Sequence, residues 1–143
     1  MNRRGRGRRA ERGQALVEFA FAIIVFMMAF IGLLDLAHGV FVYNGVSQAA
    51  REIARETSVH PGLGSLGASV ESLAVVNVQR GLVPRLQTPV YQCLDIAGTA
   101  VPGDCEPGDW VRVTATTVFQ PALPLLAMLG PFTLSSSSSA EIQ

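Results

Sequence analysis

One carboxylate, Glu18, stands inside a run of apolar and small residues from Ala15 to Leu34. A charge at the centre of a membrane-spanning helix costs about 2.5–3.5 kcal/mol, and less near an end. Glu18 lies four residues past Gln14, so its carboxylate either reaches the headgroup layer or meets a cationic partner. The other residues able to do chemistry are few. Cys93 and Cys105 are the only cysteines, and His38 and His60 the only histidines. Two cysteines alone do not complete a structural zinc site, and the histidines have no metal-ligand spacing. Asp95, Asp104, Glu106 and Asp109 sit among turn residues, which suits loop solvation better than acid–base catalysis by convergent carboxyl groups of split pKa. The stretch DCEPGD lacks calcium-loop spacing. There is no nucleophile elbow, phosphate-binding loop, zinc-protease helix or dinucleotide fingerprint. The sequence therefore predicts no enzyme, no metal and no cofactor.

The elements around Glu18 are strongly marked. Ala15–Leu34 would cover roughly 30 Å as a helix, the hydrocarbon thickness of a bilayer. Residues 1–12 carry six arginines and one acid, a charge of +5, and the remaining 131 residues carry −5; the chain has no lysine. Positive flanks stay in the cytoplasm, so the N-terminus is expected inside and everything past about Asp35 outside. Arginine and glycine tails also bind nucleic acid, but no aromatic residue interleaves these arginines and a span follows at once. A leader that sets topology is the better reading, and no nucleic-acid partner is expected.

Beyond the span the helical pattern continues. Val42, Val46, Ala49 and Ile53 mark one apolar face, with Arg51, Glu52, Arg55 and Glu56 largely elsewhere, until Pro61-Gly62 stops the helix. Glu52 and Arg55 form an i,i+3 pair, and His38 lies one turn past Asp35. Gly32, Gly39 and Gly45 either bend the helix or let neighbours approach. After the loop HPGLGSLG, the spacing of Leu66, Val70, Leu73, Ala74 and Val78 predicts a second helix ending before Gly81. Strands are expected at Val90–Ile96, around Val111, Val113, Ala115 and Phe119, and at Thr133–Ile142, the last an edge strand through five serines. The apolar stretch 120–132 reads as a loop or short helix over the core, or as a contact for a partner subunit or the membrane surface. On the outer side of a membrane, Cys93 and Cys105 are expected to pair as a disulfide.

Residues 12–56 resemble the TadE-like family, the minor pilins or pseudopilins of tight-adherence (Tad/Flp) pili. The resemblance rests on GQALVEF and on GLLDLAHGVFVYNGVSQAAREIAR, with Gly13, Glu18, Phe19, Asp35, Asn44, Ala49, Ala50, Arg51, Ala54 and Arg55 as points of contact. It implies that prepilin peptidase cuts between Gly13 and Gln14 on the cytoplasmic face, leaving Glu18 as the fifth residue of the mature chain. The other implied partners are further Tad pilins or pseudopilins, the pilus assembly platform and the membrane. Cleavage would remove six arginines and create an α-amine of pKa near 8 at Gln14. Glu18 of one subunit could pair with that amine on a neighbour, so a misregistered neighbour would leave a buried charge unpaired. Cyclisation of Gln14 would remove the amine and forbid the ion pair.

The resulting expectation is an α+β, pilin-like chain: a long N-terminal helix packed on a small antiparallel sheet with one additional helix. Residues 1–13 form the leader, 14–35 the transmembrane helix, 36–58 its extracytoplasmic continuation, and 59–143 a small extracytoplasmic domain. Two alternatives stay open. One is a secreted domain released by signal peptidase I after Gly39, where Ala37 and Gly39 are suitably small. The other is a permanent single-pass anchor carrying an adaptor domain.

Overall fold

The computed structural model describes residues 4–60, 70–102, 105–122, 127–128 and 130–143, with side chains from Gly13 onward in the first stretch and from Ser72 in the second. Leu66, Asp104, most of HPGLGSLG and residues 123–126 and 129 of the apolar 120–132 stretch lie outside the described residues.

Helix α1 runs unbroken from Arg4 to Val59, roughly 84 Å at the helical rise. No proline interrupts it before Pro61, and the residue ahead of a proline is driven out of helical conformation. Its last turn closes on itself. The Thr57 and Ser58 hydroxyls donate to the Ile53 and Arg55 carbonyls at 2.7 and 2.8 Å, and the His60 N–H donates to the Glu56 carbonyl. The helix thus ends at Val59, one residue past the expected 36–58 continuation and before Pro61-Gly62.

The chain divides into two compact units, Met1–Ala37 and His38–Gln143. In the first, the apolar side chains from Leu16 to Leu34 are largely exposed, as a lipid-facing surface would be. In the second, the expected stripe is the core: Val42, Val46, Ala49, Ala50, Ile53 and Ala54 are all buried. Arg51 and Arg55 face outward, and the Arg55 guanidinium donates to Glu52 at 3.0 Å.

That stripe packs on a four-stranded antiparallel sheet. The strands are β1 (Val90–Leu94), β2 (Ala100–Val101), β3 (Trp110–Phe119) and β4 (Phe132–Glu141), in the order β2-β1-β3-β4. Alternation in β3 is clean: Val111, Val113, Ala115 and Thr117 are buried and Arg112 is exposed. Two buried layers show the direction of packing. Val46, Ala49 and Ala50 meet Ala115, while Ile53 and Ala54 meet Val111 and Val113. As α1 climbs the sheet, β3 descends beside it. Both lengths are about 33 Å, since 38–59 rises 1.5 Å per residue and β3 about 3.3 Å.

The serine run is an edge strand, as expected. β4 pairs only with β3, with Ser136 opposite Ala115 and Ser138 opposite Val113. Strand β1 stops at Leu94 instead of Ile96, which is exposed within the Asp95–Gly98 turn. The two-residue strand β2 is too short to carry an alternation and leaves no signal in the sequence.

Helix α2 spans Val70–Leu82 and corrects two expectations. It runs through Gly81 instead of stopping before it. Its buried side carries Ser72 and Val76, followed by Val83, while Leu73 and Val78 of the expected stripe are 49% and 62% exposed. Seven apolar residues spread around thirteen positions allow either face, and the fold uses the one that leads into Val83. Gly45 of α1 permits this, because a Cβ there would stand 3.3 Å from a Val83 methyl.

Candidate functional site

Glu18 lies on the exposed surface of the apolar segment, where the Gln14 side-chain amide donates to its Oε1 at 3.3 Å. The two residues are one helical turn apart, so within a single chain the carboxylate has a neutral local partner and no cation among the described residues. Gly13 is equally open: a Cβ built on it would meet nothing within 4 Å. The backbone on either side of the Gly13–Gln14 bond is helical.

Gly39, the other candidate for cleavage, sits within α1 against the Phe119 ring, 3.7 Å from where its Cβ would be. His38 presents its ring edge-on to the same Phe119, with centroids 5.4 Å apart. His60 pairs with Glu56 at 3.1 Å. The histidines are therefore engaged at opposite ends of the second unit, and the described residues contain no cluster able to hold a metal ion.

The acids at the sheet's turns build those turns. Asp95 Oδ1 accepts the Thr99 N–H at 2.7 Å, and Gly98 follows in left-handed conformation. Asp109 Oδ2 accepts the Glu106 N–H at 3.1 Å, and the Asp109 carbonyl accepts the Ile142 N–H. Carboxylates occupied in this way are structural caps. Cys93 and Cys105 are joined as a disulfide, with Cα atoms 5.3 Å apart. The bridge ties buried Cys93 of β1 to the loop that enters β3.

Three features had no signal in the sequence. The Tyr91 hydroxyl is buried, without a hydrogen-bond partner among the described residues. Burial pushes its pKa above the ordinary phenol value, with Ser72 and Arg80 pulling the other way. Thr117, fully buried in β3, donates its hydroxyl to the Pro84 carbonyl. Arg85, next in the chain, is the one described non-glycine residue with a left-handed backbone, at φ 57°. Only the proline at position 84 hints at a turn here.

Among the described residues, one helix is long and apolar enough to cross a membrane, and the window that qualifies is unburied. Together with the small disulfide-bonded head, this fits a single-pass membrane protein whose extramembrane part is α+β. Residues 13–55 match the family described as TadE-like protein. That family is structural and pilus-associated, and the match suggests a component associated with a Tad pilus. It lies within α1 and leaves α2 and the sheet outside. No curated protein and no solved structure matches the chain.

Proposed function

We propose that this protein is a TadE-like minor pilin or pseudopilin of a Tad-type pilus. It is inserted with its N-terminus in the cytoplasm and its head outside, and prepilin peptidase processes it between Gly13 and Gln14. The observation that carries the reading is the coincidence at the head of the apolar segment. The family match begins at residue 13, the glycine that ends the basic leader, and Glu18 follows five residues on. In this reading the leader pins the helix to the cytoplasmic side until cleavage. Cleavage then exchanges six arginines for one α-amine, which the Glu18 of a neighbouring subunit meets. The neutral Gln14–Glu18 contact holds the carboxylate until a subunit arrives. The protein acts by assembly and not by catalysis.

Mapping the N-terminus of the mature protein tests this. A start at Gln14, or at its cyclised form 17 mass units lighter, is the expected result. A start at Val40 identifies a secreted domain, and an intact leader identifies a permanent anchor; either one overturns the reading. Glu18→Ala should leave membrane insertion intact while removing the protein from material recovered with other pilus components.

A further inference from the structure

The turn around Arg85 is unusually constrained for an exposed loop. Thr117 holds the Pro84 carbonyl, Leu86 bridges to Thr117, and the Gln87 N–H donates to the Thr116 carbonyl at 2.8 Å. These bonds fix residues 84–87 along β3 and hold Arg85 left-handed, a conformation that glycine adopts freely and an L side chain adopts at a cost. Strain of this kind persists only where the surroundings over-determine it, and it gathers where a side chain must be presented. The presented group is a guanidinium. It is exposed, steadied by Gln120 Oε1 at 3.0 Å, and stands at an open cavity of about 380 Å³ that also takes in His38 and Phe119. No carboxylate lines this cavity among the described residues.

Chain connectivity limits where the cavity can be. His38 is four residues past Leu34, the last residue of the apolar run. Four residues span about 6 Å as helix and at most roughly 14 Å fully extended. The headgroup layer on each side of the hydrocarbon is roughly 5–7 Å deep. A bilayer that holds Ala15–Leu34 thus has its headgroups within reach of His38, which shares its cavity with Phe119 and Arg85.

We propose that Arg85, with His38 beside it, binds the phosphate of a phospholipid headgroup. Anionic phospholipid would be favoured. Guanidinium–phosphate contacts are charge-assisted and bidentate, and the Phe119 and Pro84 rings supply the half-apolar surroundings of an interfacial site. The inference rests on the span lying in a bilayer and is independent of the cleavage and pilus reading, which N-terminal mapping tests separately.

The test uses the full chain in nanodiscs of phosphatidylcholine with phosphatidylglycerol, released for native mass spectrometry that counts retained lipids. The wild type should retain phosphatidylglycerol preferentially. Arg85→Gly should lower that preference about fivefold, the value of one basic residue at a membrane surface, while raising the thermal midpoint because the backbone strain is relieved. Arg85→Gln should lose the preference as well, and Arg85→Lys should keep most of it. Arg112→Gln, on the outer face of the sheet, should be unaffected. Unchanged phosphatidylglycerol retention in folded Arg85→Gly, or an equal loss in Arg112→Gln, overturns the proposal.

Discussion

Ile53 and Ile31 lie on the same helix and differ only in surroundings, which makes them a controlled comparison. Ile53 is fully buried against Val111 and Val113, whereas Ile31 is 42% exposed on the apolar segment. Truncation to alanine removes three carbons. At about 0.8 kcal/mol each, the transfer loss at Ile53 is about 2.4 kcal/mol, and the cavity left behind raises it to about 3–4 kcal/mol. Total stabilities run to roughly 5–15 kcal/mol, so this is a large fraction, equivalent to a fall in the folding constant of at least about 150-fold. At Ile31 the side chain keeps an apolar solvent whether the head is folded or not, and Ile31→Ala should change head stability by less than about 0.5 kcal/mol. The assay is denaturant unfolding of the full chain in detergent, followed by the fluorescence of Trp110, the single tryptophan. Ile53→Ala should lower the midpoint strongly with an unchanged slope. Equal midpoints for the two variants, or a loss at Ile53 below about 1 kcal/mol, would refute the packing of α1 on β3 as the source of the head's stability.

Two further outcomes follow from the head's geometry. Replacing Cys93 and Cys105 with serine should cost about 3 kcal/mol, the chain-entropy value for a loop of this length, and reduction of the wild type should lower its unfolding midpoint by a matching amount. Tyr91→Phe removes a buried hydroxyl whose contact with Ser72 falls short of a well-formed hydrogen bond and should change stability by no more than about 1 kcal/mol. Because burial holds the Tyr91 proton to higher pH than in the unfolded chain, stability should fall as pH rises from about 10 through the folded pKa. Tyr91→Phe should remove that component, which unfolding curves between pH 9 and 11 would read at about that range.

The parts of the fold that were legible in the sequence are those where one periodicity had no competitor. Val42, Val46, Ala49 and Ile53 recur among charged residues, so only one face could be buried. In β3, Val111, Val113 and Ala115 alternate with Arg112 and Thr114 for the same reason. Helix α2 offered apolar residues on every side, and its orientation came from the sheet and from Val83 settling against Gly45, neither of which is local in sequence. Thr117 reads as polar and is nonetheless core, because its hydroxyl is satisfied by a carbonyl 33 residues away. Arg85 gave no warning, since a left-handed arginine is imposed by bonds from β3 and not by its neighbours. Of the candidate site, Gly13, Gln14 and Glu18 stand out in the sequence as candidates because a single acid in an apolar run has few explanations; the Arg85 cavity is assembled from three separate elements.

The opposed courses of α1 and β3 have a mechanical consequence. A pull along the helix axis would not peel the head away one contact after another. It would slide the rod past its sheet, so that the layers at Val46, Ala49 and Ile53 resist together, as a lap joint does under tension. Axial load would thus be shared along the whole overlap, while a sideways lever at one end would find only the first few side chains to hold it.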